Sequence, residues 1–145
     1  MDANNLFSED WAIVGVVDPD ANTAAAYNTA NIDMADWEQL AVILMVGDLG
    51  ASASVTAALY DSSASPHAAI SGKTVTVGGT SPNTGSNTQQ VIHFRSAEGN
   101  SNARYVTARL TVATATSDCA MIVLGKGRHR PAYDNDAASV GGITN

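Results

Sequence analysis

Short runs rich in Val, Ile, Thr and Tyr recur along this chain between clusters of Gly, Ser, Asn and Pro, and helical periodicity is hard to find. That is the pattern of an all-β chain. The clearest alternation runs from Arg104 to Val112, with Val106, Ala108, Leu110 and Val112 on one face and Tyr105, Thr107, Arg109 and Thr111 on the other. Val55 to Tyr60 sets Val55, Ala57 and Leu59 against Thr56, Ala58 and Tyr60, and Gln89 to Arg95 sets Ile92 and Phe94 against Val91, His93 and Arg95. Leu40 to Val46 (LAVILMV) has no polar side, as in a central strand covered on both faces or a buried helix segment, and closure by Gly47 after seven residues favours the strand. Cys119 to Leu124 (CAMIVL) has the same character. Trp11 to Val17, Ala25 to Ile32 and Lys73 to Val77 bring the count to about eight strands. One helical turn is predicted over Asp33 to Gln39, where acids stand near the N-terminus of the turn. Residues 78–88 (GGTSPNTGSNT) lack apolar anchors and read as a surface loop.

No internal repeat or domain boundary interrupts this pattern, and 145 residues suffice for one self-sufficient core. The prediction is an all-β fold: an antiparallel β-sandwich of jelly-roll or Greek-key type over residues 11–130, with a closed barrel as the alternative. Residues 1–10 and 131–145 are polar and too poor in apolar side chains to hold core positions. They are predicted to be an N-terminal arm and a C-terminal tail that run in extended form across a neighbouring chain.

Charged residues make up only 14% of the chain, well below the usual quarter or so, so Ser, Thr, Asn and Gly must build much of the surface. The net charge of −7 has the wrong sign for gripping phosphate backbones, and no direct nucleic-acid partner is expected. The longest apolar run, Leu40 to Val46, is too short to span a bilayer, and MDANNLFSED has neither a basic region nor a small-residue cleavage site. No membrane partner is expected either. The charge is unevenly placed: residues 1–72 carry ten acids and no Lys or Arg, whereas all seven bases lie from Lys73 onward against four acids. Three of those bases fall in Lys126, Arg128 and Arg130. The halves either neutralise each other within one fold or steer assembly between copies.

Candidate chemistry is sparse. Cys119 has no partner thiol, and His67, His93 and His129 share no ligand spacing. Asp18-Pro-Asp20-Ala-Asn22 matches the first three ligand positions of a calcium loop, but Thr23 and Thr29 stand where Gly and a bidentate Glu are needed. It reads as an Asx-type turn. No nucleophile elbow places a Ser beside a His, and Cys119 within CAMIVL reads as a packed thiol with a raised pKa. Gly47-Asp-Leu-Gly50 lacks the Lys and spacing of a phosphate loop, and the aromatic residues are scattered. No catalytic residue, cofactor or metal site is predicted.

Gly47-Asp-Leu-Gly-Ala-Ser-Ala53 followed by Val55-Thr-Ala-Ala-Leu59, together with Thr114-Ala-Thr-Ser-Asp118 leading to Val123-Leu-Gly125, Gly72-Lys73 and Arg130-Pro131, resembles small structural proteins encoded beside the major capsid protein of tailed bacteriophages. The similarity spans roughly residues 30–131. It implies a non-enzymatic virion protein, a capsid decoration or cement protein that binds the major capsid protein on the outside of the head as a homo-oligomer, dimer or trimer. A neck or tail-completion protein is the alternative within that class, and a carbohydrate-binding module the alternative outside it. The partner-binding candidates are Leu6 and Phe7 of the arm and the basic segment Lys126, Arg128, His129 and Arg130. In that segment Gly125 and Gly127 are expected to let the backbone approach a partner closely.

Overall fold

The computed structural model describes residues 6–63, 65, 67–80, 84–98, 104–128 and 140. The alternating runs become nine strands: β1 (Trp11–Asn22), β2 (Ala26–Asn28), β3 (Ile32–Asp33), β4 (Trp37–Val46), β5 (Ser54–Asp61), β6 (Ala68–Gly78), β7 (Thr88–Arg95), β8 (Tyr105–Ala113) and β9 (Ser117–Gly127). Sheet A has the order β1-β9-β4-β7, and sheet B the order β2-β8-β5-β6 with β3 also on β8. All pairings are antiparallel. Because β2 and β3 pair with successive stretches of β8, they share one edge position, and each sheet has four positions. The chain changes sheet at every connection except the break between β2 and β3 and the β5–β6 hairpin. This is jelly-roll topology, as the alternation and turn spacing lead one to expect. A closed barrel is excluded because β1 and β7 bound sheet A while β2 and β6 bound sheet B.

The core lies between the sheets. Leu40, Leu44, Val55, Leu59, Phe94, Val106, Leu110, Met121 and Val123 are at most 1% exposed, and each comes from the apolar face of its strand. Trp37 closes the far end, and it fits only because Gly125 opposite has no side chain: a Cβ there would stand 2.7 Å from the indole ring.

Four local expectations are corrected. Asp33 to Gln39 is not a helical turn: Asp33 ends β3, its carboxylate accepts the Ala35 N–H at 2.9 Å, and Trp37 opens β4. Burying Trp37 outweighs the weak propensity of one isolated helical turn. The predicted strand Ala25 to Ile32 breaks between β2 and β3, where Thr29 Oγ1 accepts the buried Ala108 N–H at 3.1 Å and Asn31 accepts from the Thr107 hydroxyl at 2.7 Å. Asp18 to Asn22 continues β1 through a bulge between Val17 and Asp20 instead of forming an Asx-type turn. The Asn22 amide is drawn inward to donate to the Cys119 carbonyl at 2.8 Å. In the arm, Phe7–Asp10 forms one helical turn (α1) and not extended chain, with the Glu9 carboxylate accepting the Leu6 N–H at 3.1 Å.

Candidate functional site

The two sheets differ in what they turn outward. On sheet B the outward positions of β5, β6 and β8 carry Thr56, Tyr60, Thr74, Thr76, Arg109 and Thr111, a polar surface. Its members bind one another: Thr56 and Thr76 hydroxyls lie 2.9 Å apart across the strands, and the Arg109 guanidinium stacks 4.1 Å over Tyr60 while donating to Asn28. Sheet A is the reverse. Its register aligns Val16, Ile122, Ile43 and Val91 in one outward row across all four strands. On one side of that row stand Leu124, Ala41 and His93, and on the other Ala120, Met45 and Gln89.

Ala41 and Ala120 are buried by their neighbours, Val16, Ile43, Met45, Ile122 and Leu124 are half-buried, and Val91 is 49% exposed. Among the described residues, no helix or strand is layered over this face. The LAVILMV run has two apolar faces, yet among the described residues a cover, sheet B, is supplied for just one of them. Leu6 (51% exposed) and Phe7 (54%) extend the same margin, because Phe7 stacks on Trp11 at 6.4 Å and Trp11 lies in register with Lys126.

The apolar rows are bounded by opposite charges. Beyond Ala120, where the bulge turns β1, lie the exposed carboxylates Asp18, Asp20 and Asp118. Beyond Leu124 lie Lys126 and Arg95, aligned through Gln39, with Glu38 3.4 Å from the Lys126 ammonium. A hollow of about 540 Å³ opens at the acidic end, lined among others by Pro19, Asp20, Met45, Gln89, Asp118 and Ala120.

The basic segment is partly committed within the chain. The Arg128 guanidinium donates to the Met34 carbonyl at 3.2 Å and the Ser96 hydroxyl at 2.9 Å, and the Arg128 N–H to the Asp36 carbonyl at 3.1 Å. Gly125 serves internal packing against Trp37. His129 and Arg130, and the tail from 131 onward apart from Val140, fall outside the described residues, as do residues 1–5. Two of the three ion pairs among the described residues, Asp33–Arg104 and Glu38–Lys126, join the base-free half to the base-bearing half. The Arg104 guanidinium holds the Asp33 carboxyl below its ordinary value.

His93 is exposed on the outer face of sheet A and His67 in the loop before β6, and no group of three His, Cys, Asp or Glu among the described residues could hold a metal ion. Cys119 is 4% exposed, and burial pushes its thiol up in pKa. No helix among the described residues is long and apolar enough to cross a membrane.

No protein-family model matches the chain, and no curated protein matches it. Among solved structures, it is similar to a CBM4 structure (TM-score 0.43, 11% identity, 80% of this chain and 71% of that one). It is also similar to a Bacillus endospore appendage of a family of disulfide-linked pili (0.40, 18%, 87% and 98%) and to the naturally occurring empty particle of cowpea mosaic virus (0.43, 10%, 99% and 98%). No function is carried over from any of them.

Proposed function

We propose that this chain is a non-enzymatic structural subunit of a virion, a decoration protein that binds the outside of a tailed-phage capsid through the major capsid protein and stabilises it. The observation that carries the reading is sheet A: its outward row Val16, Ile122, Ile43 and Val91 is apolar, and among the described residues no element is layered over it, which favours a face that meets another protein. The sequence resemblance to head proteins of tailed phages names the particle. A polar sheet B then faces solvent, with its threonines and the Tyr60–Arg109 pair.

A carbohydrate-binding role would want rings gathered in a groove. Among the lining residues of the hollow on sheet A there is no aromatic side chain, and Tyr60 and Tyr105 are each covered by an arginine. The test is reconstitution. Phage heads assembled without this chain are incubated with the purified full-length protein, sedimented, and heated. Co-sedimentation in stoichiometric amounts with a raised head-dissociation temperature supports the proposal. Heads that neither bind the protein nor gain heat resistance overturn it, and saturable binding on a glycan array would move the assignment to the carbohydrate reading.

A further inference from the structure

We propose that the outer face of sheet A is a copy-to-copy interface, formed when two of these chains stack face to face about a two-fold axis that runs along the row Val16, Ile122, Ile43, Val91. The inference deepens the proposed function by naming what covers the apolar face, and it rests on that reading only in supposing that protein covers it.

The register sets the geometry. On β9 the outward positions run Asp118, Ala120, Ile122, Leu124, Lys126, so Ile122 lies midway between an acid and a base. A two-fold axis in the interface plane, perpendicular to the strands and passing over Ile122, lays each strand on its own copy with direction reversed. Asp118 of one chain then faces Lys126 of the other, twice, and Ile122 faces itself. The row of Met45 and Ala120 meets the row of Ala41 and Leu124, large against small on each strand. The long side chains of Lys126, Gln39 and Arg95 come to lie over the hollow at the partner's acidic end.

Charge chooses between the possible arrangements. With this axis the end of the face that holds Asp118 lies on the end that holds Lys126, and on β9 Asp118 of each copy opposes Lys126 of the other. With the axis turned parallel to the strands, the acidic end of one copy would instead lie on the acidic end of the other, and such like-charge juxtaposition is unfavourable. The area is sufficient: four strands about 4.8 Å apart and nine residues at about 3.3 Å rise make a face of roughly 19 Å by 30 Å. With side-chain relief, that approaches the roughly 800 Å² per partner of a standard interface. An isologous contact of this kind closes as a dimer and leaves both polar B sheets outward.

The test measures the mass of the full-length protein by sedimentation equilibrium across a dilution series, for wild type and four variants. Ile122→Asp sets two carboxylates against each other on the axis and is expected to weaken the dimer about thirtyfold or more, the scale of a lost central hot spot. Its circular dichroism should stay that of wild type, since position 122 faces away from the core. Asp118→Lys and Lys126→Asp should each weaken the dimer, and the double variant carrying both should restore it, which a general loss of folding would not do. A wild-type monomer throughout the series, a dimer indifferent to Ile122→Asp, or a double variant no better than the singles overturns the inference. If the protein is a monomer whose attachment to heads is lost in Ile122→Asp, the inference falls while the decoration reading stands. If the dimer behaves as expected but heads are ignored, the decoration reading falls and the interface stands.

Discussion

Replacing Gly125 with Ala should destabilise the folded chain by about 1–2 kcal/mol, and the structure supplies the magnitude. A Cβ on residue 125 would stand 2.7 and 2.8 Å from Cε3 and Cδ2 of Trp37 and 3.0 Å from a Val14 methyl. Ordinary carbon contacts lie at about 3.5–4.0 Å, so the ring must retreat by roughly 1 Å. It has little room to do so, because Trp37 is 6% exposed and sits at the start of β4, paired with Gly127. Overpacking of this kind costs about 1–3 kcal/mol. Against it, removing a glycine from the unfolded ensemble gains about 0.4–1 kcal/mol, since residue 125 needs no positive φ. The net loss should lower Tm by about 2–8 °C, at roughly 2–4 °C per kcal/mol for a chain of this size. Urea unfolding followed by tryptophan fluorescence, at fixed protein concentration, should show a lower midpoint with an unchanged slope. Adding Trp37→Phe should recover part of the loss, because the two sites share one contact and their effects cannot add. A Gly125→Ala protein as stable as wild type, or more stable, would refute the packing account and return the glycine to the expectation that it admits a partner.

Asp33→Asn should cost about 0.2–1 kcal/mol at neutral pH, the range for an exposed ion pair. The Asp33 pKa is depressed below 3.8 in the fold, so the wild-type advantage is fully present above that value and should vanish as pH falls through the folded pKa, which paired thermal melts between pH 6 and pH 2 would show. The Cys119 thiol, buried and raised in pKa, should react with a disulfide reagent at pH 8 only as fast as the chain opens, so added urea should accelerate labelling in step with unfolding; rapid labelling of the native protein would contradict the burial.

The strand faces were legible because side-chain alternation is a local property. Val106, Ala108, Leu110 and Val112 could be assigned inward from β8 alone, and they are. What alternation cannot carry is the identity of the cover. LAVILMV announces two apolar faces, but whether a second layer of the same chain or another molecule lies over Ile43 and Met45 depends on where β1, β7 and β9 bring their own outward residues. Long-range partners explain the other departures. Trp37 leaves a possible helical turn because the empty position at Gly125, 88 positions further along the chain, receives its ring. The strand predicted over Ala25 to Ile32 breaks because Thr29 and Asn31 satisfy groups on β8. Leu6 and Phe7 stand in the sequence as partner-binding candidates of the arm, and it is the stack of Phe7 on Trp11 that ties this turn to sheet A.

The uneven charge of the sequence acquires its meaning through the register. A chain with no base before Lys73 could have folded into an acidic lobe and a basic one, but each sheet draws strands from both halves, and the pairs Asp33–Arg104 and Glu38–Lys126 stitch the halves together. A polarity survives on sheet A, and it is not the polarity of the sequence. Asp118, from the base-bearing half, joins Asp18 and Asp20 at one end of the face, because β9 runs antiparallel to both β1 and β4 and its first residues lie where β1 ends. The same antiparallel course carries Lys126 to the opposite end, beside Arg95. At physiological ionic strength charges separated by more than about 8 Å are largely screened, so this polarity is felt by a partner lying against the face and hardly at all by one at a distance. In the proposed contact this polarity would select the orientation, while the row of Val16, Ile122, Ile43 and Val91 would supply the apolar area.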